Sequence, residues 1–159
     1  MRLRRIAVFL FTAAGIASAG TIGYSVNETA GGSSATGTIT TDGTLGTLYG
    51  NIVDWDLTIT DGTNSFTATG PLSGDDSELG FAGSDLTAIS SNLSFDFSRT
   101  DGVVLFFEPP PIIGRDFICF AANSVECNYA ASVVLVLGLG TQQFSSQSGD
   151  EVIATVRVH

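Results

Sequence analysis

Near its middle the chain reads Ile52-Val53-Asp54-Trp55-Asp56-Leu57-Thr58-Ile59-Thr60. Apolar and polar residues alternate from Val53 to Thr60, and a period of two is typical of a β-strand with one face buried. Asp61-Gly62 follows directly, and because both residue types tolerate positive φ, this pair predicts a hairpin turn. The partner strand is then Ser65–Thr69. The middle of the chain therefore predicts antiparallel β-structure.

Further strand patterns extend outward from this hairpin. Val103–Phe107 and Val133–Leu137 are continuously apolar, which predicts central strands that are buried on both faces or lie deep between two sheets. Leu79–Ile89 has no clear period and predicts an irregular edge or a broad loop. Counting all candidates gives roughly nine or ten short strands, at the spacing of an all-β antiparallel β-sandwich. Period-two alternation between turn residues also marks three other segments: Thr38–Thr41, Leu93–Phe97 and Val152–Val158.

The N-terminus has the pattern of an export signal. Arg2, Arg4 and Arg5 precede the apolar segment Ile6–Ile16, and Ala17-Ser18-Ala19 is a small-x-small cleavage site. We therefore expect residues 1–19 to be removed and residues 20–159 to form one secreted β-sandwich domain. The general secretory route is favoured over twin-arginine export, because Ala7 and Val8 follow the arginines where bulkier apolar residues are usual.

Charge and composition exclude several function classes. The 159 residues include six Arg, no Lys and sixteen Asp or Glu; loss of the signal would leave three Arg and a formal charge of −13. Such an acidic chain does not attract a phosphate backbone, so nucleic acid is excluded as a partner. No apolar run is long enough to span a membrane. The single histidine, His159, lies at the terminus, which argues against Ser-His-Asp or Cys-His catalysis.

Two cysteines, Cys119 and Cys127, are separated by seven residues. In an exported protein, a pair at this spacing predicts a structural disulfide that closes a small hairpin-like loop. A catalytic thiol would need a nearby base, and a zinc site would need more ligands than the surrounding sequence offers. The two cysteines therefore predict a stabilising disulfide, not a redox or metal site.

Carboxylates supply the remaining candidates for site chemistry. Asp75, Asp76 and Glu78 concentrate oxygen ligands of the type that calcium prefers, although their spacing matches no complete calcium loop and a solvated acidic turn is the alternative. A glycosidase needs only two carboxyl groups that flank the sugar. Asp54 and Asp56 also fit the solvated face of their strand. The carboxylates considered for a glycosidase pair are Asp54, Asp56, Asp96 and Glu108.

Two aromatic residues near the central strand are candidates for contact with a sugar ring. Tyr49 and Trp55 offer the flat apolar surface on which a sugar stacks. Trp55, however, falls on the apolar side of its strand pattern, a position more typical of the core.

The segments Gly37–Gly46, Ile52–Thr60 and Leu93–Ser98, together with the two late cysteines, resemble bacterial PEP-CTERM exoproteins. The resemblance covers most of the mature chain and implies a secreted β-rich protein of an exopolysaccharide-producing bacterium that forms biofilm or floc. It implies no catalytic residues. Members of that family end in a Pro-Glu-Pro motif, an apolar helix and a basic cluster, whereas this sequence ends at His159. We therefore expect either a freely released protein or a sequence truncated before the sorting tail.

These observations rank three functional hypotheses. The first is a non-enzymatic structural or adhesive protein of the extracellular matrix or cell surface, without a cofactor. The second is a polysaccharide-binding module, with calcium at Asp75, Asp76 and Glu78 as an optional aid. The third is a secreted glycoside hydrolase. The expected partners are extracellular polysaccharide, a matrix protein or further copies of the chain, paired through an exposed strand edge.

Overall fold

The computed structural model describes residues 20–108, 116–124, 127, 129–137 and 141–157. The predicted export signal lies outside these residues. Within the described segments the regular structure consists of β-strands, and no helix is long and apolar enough to cross a membrane. The strands are β1 (Ile22–Ala30), β2 (Ser33–Thr41), β3 (Gly46–Thr47), β4 (Ile52–Thr60), β5 (Ser65–Thr69), β6 (Glu78–Ala82), β7 (Leu86–Ala88), β8 (Asn92–Asp96), β9 (Val103–Phe107), β10 (Phe117–Ser124), β11 (Tyr129–Leu137), β12 (Thr141–Ser146) and β13 (Asp150–Val156).

The strands form two antiparallel sheets. The first sheet has the order β3-β7-β8-β13-β1-β2-β4-β5, and the second has the order β12-β11-β10-β9-β6. This confirms the predicted all-β, sandwich-like fold. The hairpin around Asp61-Gly62 is also confirmed, because Thr60 pairs with Ser65 across the turn and Gly62 has a φ of 86°.

The structure contains more strands than the nine or ten that the sequence predicts. The segment Leu79–Ile89, predicted as an irregular edge or broad loop, contributes to β6 and contains β7. β6 is indeed an edge strand of the second sheet. A two-residue period is not detectable here because β7 has three residues and Gly80 in β6 has no side chain.

The main core lies between the two sheets. The Trp55 ring on β4 packs against Phe106 on β9 with a centroid distance of 5.4 Å, and Phe95 on β8 faces Phe120 on β10 at 6.4 Å. The continuously apolar strand β9 is buried on both sides, since consecutive residues Val103 and Val104 are 3% and 1% exposed. This confirms its predicted central position.

The predicted disulfide joins Cys119 on β10 to Cys127 in the connection between β10 and β11, with a Cα–Cα distance of 6.4 Å. Both cysteines are fully buried in a second apolar cluster that also contains Ala121, Val134 and Val136. Because Cys119 alternates with the core residues Ile118 and Phe120, this cluster lies on the opposite side of the second sheet from the main core. The disulfide thus ties the β10–β11 connection to the second cluster.

A β-bulge interrupts the alternation of β4. Thr40 pairs with Asp54 and Thr41 pairs with Ile52, so Val53 has no partner on β2. Ile52 is consequently buried in place of Val53, and the prediction of uninterrupted alternation from Val53 is wrong at that residue.

Candidate functional site

Side chains with hydroxyl groups cover the outer face of the first sheet along β1, β2, β4 and β5. Tyr24, Ile39 and Leu57 occupy the inner face of these strands, so the intervening residues project outward. The strand register places the outward residues in three rows. We call this surface the hydroxyl face; its rows are Ser25-Thr38-Asp56-Thr69, Asn27-Thr36-Thr58-Thr67 and Thr29-Ser34-Thr60-Ser65.

The hydroxyl face is regular and nearly uncharged. Neighbouring strands lie about 4.8 Å apart and alternate residues of one strand about 6.7 Å apart, so the side chains form a repeating grid. The hydroxyl oxygens of Thr58 and Thr67, on adjacent strands, are 3.4 Å apart. Asn27, Thr36 and Thr67 are exposed, and the only carboxylate in the three rows belongs to Asp56. This surface can donate and accept many hydrogen bonds without attracting or repelling charge strongly.

An acidic cleft opens where β1 and β13 separate. The ladder between these strands ends at Val26 and Ala154, next to a β-bulge in β13. Beyond that point a cavity of about 190 Å³ reaches toward the core. Its lining residues are Glu28 of β1, Phe97 after β8, Val133 of β11, Gln147 before β13, and Glu151, Val152 and Ile153 of β13.

Glu28 has an unusual environment for a carboxylate. It shares the inward-facing side of β1 with buried Tyr24, Val26 and Ala30. Burial, together with the negative charge of Glu151, raises the pKa of Glu28 to about 7. The cleft therefore holds a carboxyl group that changes charge near neutral pH. Neither Glu28 nor Glu151 is among the site residues predicted from the sequence.

The acidic turn predicted to bind calcium is held by hydrogen bonds within the protein. The backbone N–H of Thr69 donates to Asp76 Oδ1 at 2.7 Å, and the N–H of Asp75 donates to the Gly70 carbonyl at 2.8 Å. Glu78 begins β6 and is exposed. No group of three or more His, Cys, Asp or Glu in the described part of the chain could hold a metal ion. Calcium binding at this turn stays a prediction that the geometry does not favour.

The carboxylates considered for a glycosidase have separate surroundings. Asp54 is buried, and it accepts hydrogen bonds from the N–H of Leu72 at 3.0 Å and from Ser73 Oγ at 2.5 Å. It therefore fixes the turn after β5 and is not the solvated residue that the strand pattern predicts; the bulge at Val53 accompanies this change. Asp56 lies on the hydroxyl face and is exposed.

Asp96 and Glu108 lie on different sheets. Asp96 ends β8 and accepts hydrogen bonds from the Ser98 side chain and backbone, which lower its pKa. Glu108 follows β9 in the second sheet, where its N–H donates to the Asp116 carbonyl at 3.3 Å. None of the four predicted candidates lines the cleft that contains Glu28 and Glu151.

The two aromatic candidates differ completely in exposure. Trp55 is 5% exposed, and its indole N–H donates to Ser77 Oγ at 2.7 Å, so the core interpretation is confirmed. Tyr49 is 73% exposed in the connection between β3 and β4.

Comparison with known proteins supplies no further identification: no protein-family model, curated protein or solved structure matches the chain. The fold and the surfaces described above define a disulfide-containing all-β sandwich with a hydroxyl-rich outer face and an acidic cleft at one end.

Proposed function

We propose that this protein is an exported, non-enzymatic component of a bacterial extracellular matrix or cell surface, where it adheres to neutral polysaccharide through the hydroxyl face. The observation that carries the proposal is the three-row grid of Ser, Thr and Asn side chains across four adjacent strands. The N-terminal export pattern and the resemblance to secreted exoproteins support the extracellular location.

The chemistry of the hydroxyl face favours a neutral polymer. Each exposed hydroxyl both donates and accepts a hydrogen bond, as the hydroxyl groups of a sugar do. An anionic polymer would be repelled by the strongly acidic chain, whereas a neutral one would not. Single contacts of this kind are weak because water competes for the same groups. A repeating surface facing a repeating polymer adds many of them through avidity.

Cosedimentation with insoluble neutral glucan tests this proposal. Replacing Thr36, Thr58 and Thr67 together by Val removes one complete row of hydroxyls while it keeps side-chain shape and β-propensity. We expect the triple variant to bind the glucan at least about tenfold more weakly than the parent protein. The matched control replaces Thr47, which is exposed on β3 at the opposite edge of the sheet from β5, and Thr100, which is exposed in the connection between β8 and β9, by Val.

Three results would contradict the proposal: no saturable binding by the parent protein, equal binding by the triple variant, or equal loss in the Thr47 and Thr100 control. Repeating the measurement with calcium and then with excess chelator tests the turn at Asp75, Asp76 and Glu78 separately. Binding through the hydroxyl face is expected to be unchanged by chelator.

A further inference from the structure

We propose that the acidic cleft is a pH-sensitive seam, at which the existing gap between β1 and β13 widens when Glu28 ionises and the last ladder pairs beside it open. This property does not depend on the proposed function, because it concerns the inner face and one end of the sandwich and not the hydroxyl face. The seam would give the secreted protein a conformational response to the pH of its surroundings.

The pairing of the strands makes this end of the sheet the place where separation can occur. On one side, β1 pairs with β2 along its whole length, from Ile22 with Thr41 to Ala30 with Ser33. On the other side, β1 pairs with β13 only from Tyr24 to Val26. Glu28 follows immediately, on a part of β1 with no ladder to β13. A local opening therefore breaks few backbone hydrogen bonds.

The opposite end of the same seam is fixed. The Tyr24 hydroxyl donates to the Ile89 carbonyl at 2.9 Å, and the N–H of Arg157 donates to the Gly23 carbonyl at 2.9 Å. Opening is therefore confined to the segments around Glu28 and Glu151, and the sandwich as a whole stays folded.

The charges around Glu28 all act in one direction. Glu151 on β13 is the titratable group that acts on it, and Asp150 of β13 and Asp96 of β8, which pair with each other, are also carboxylates. The other packed elements contribute uncharged side chains, namely Ala35 opposite Glu28 on β2, Phe97 after β8, Val133 of β11 and Gln147 before β13.

The arginine side chains within the described residues do not lie beside Glu28. Arg99 is 3.2 Å from Asp85, and Arg157 is at the other end of β1. Ionised Glu28 therefore meets negative charge and apolar surface without a compensating cation from the described residues.

The direction of the response follows from these contacts. Protonated Glu28 is neutral and can remain beside Phe97 and Ile153 at the edge of the core. Ionised Glu28 must gain water and move away from Glu151, which favours the separated seam. Since the pKa of Glu28 is about 7, the closed seam is favoured at mildly acidic pH and lost as pH rises through neutrality.

Hydrogen exchange from pH 5.5 to 8.5 tests the proposal, with rates corrected for the intrinsic pH dependence of exchange. We expect protection at the last β1–β13 pairs beside the cleft, Ser25 with Thr155 and Val26 with Ala154, to fall by about fivefold or more across this range, while Trp55 and its neighbours on β4 remain protected. Glu28→Gln, which stays neutral, should abolish the change and remain protected throughout. Glu151→Gln should move the midpoint to lower pH, because it removes a charge that raises the pKa of Glu28.

Glu78→Gln is the matched control, since Glu78 is an exposed carboxylate on the edge of the other sheet. It should behave like the parent protein. Carbon NMR of the Glu28 carboxyl gives a second measurement, in which a midpoint near pH 7 is expected. The proposal is overturned if protection does not change with pH, if Glu28→Gln retains the dependence of the parent, or if the carboxyl titrates at its ordinary pH.

Discussion

Gly37 on β2 occupies a position that another residue cannot take without moving the sheet. Its φ is +146°, and a Cβ at this site would overlap the carbonyl oxygen of Asp56 on β4. We expect Gly37→Ala to lower the free energy of unfolding by about 3 kcal/mol, measured by urea denaturation. Gly32→Ala is the control, because a Cβ there meets no atom within 4 Å; it should be neutral or slightly stabilising. Equal effects of the two substitutions would contradict this account.

Single residues also show what sequence reasoning could and could not find. The burial of Trp55 and the pairing of Cys119 with Cys127 were predictable, because each follows from local alternation or spacing. The sequence gives only a weak indication of Glu28, namely that it falls on the same side of β1 as the buried residues Tyr24 and Val26. Its burial and the negative charge of Glu151, which together raise its pKa, depend on β1 and β13 being neighbours in the sheet, and no local pattern specifies that.

Among the elements, the disulfide-closed connection between β10 and β11 offers a direct stability test. Closing a loop of about nine residues restricts the unfolded chain and contributes about 2.6 kcal/mol in the loop-entropy model. We expect reductant to lower the free energy of unfolding by up to that amount, measured by urea denaturation. The double variant Cys119→Ala, Cys127→Ala should show the lower stability in both conditions and no response to reductant. A response of the double variant, or none in the parent protein, would count against the prediction.

The strands with a clear apolar pattern were predictable and their irregularities were not. β4, β8 and β9 follow from period-two or continuous apolar patterns of five residues or more, and Thr38–Thr41 predicted the end of β2. The bulge at Val53 depends on the pairing with Thr40 and Thr41, which the sequence of β4 does not contain. β3 and β7 have two and three residues, too few for any period. The hydroxyl face likewise becomes visible only when register aligns four strands that are each unremarkable alone.

At the scale of the whole molecule, we expect stability to be greatest at mildly acidic pH. Hydrogen bonds lower the pKa of the Asp42, Asp61 and Asp96 carboxyl groups in the folded protein. These groups therefore add to the free energy of unfolding above the pKa that they have in the unfolded chain. This contribution is lost as pH falls through their lower pKa in the folded protein. Burial raises the pKa of Glu28 and of Asp85, where the nearby Arg99 offsets only part of the effect. Their contribution is present at low pH and is lost as pH rises, for Glu28 through about 7.

The net charge acts in the same direction as these buried carboxyl groups. Repulsion among the excess carboxylates grows as they ionise, and salt screens it. The urea midpoint, measured from pH 3 to 9, should therefore be highest between about pH 4 and 6. Salt should recover more of the lost stability at pH 8 than at pH 5, because more negative charge is present at pH 8.

Glu28→Gln should reduce the fall of the urea midpoint on the alkaline side of the maximum and leave its fall on the acid side unchanged, whereas Glu78→Gln should alter neither appreciably. A maximum above pH 8, or an alkaline limb that is the same in both variants, would show that ionisation of Glu28 does not limit the stability of this sandwich.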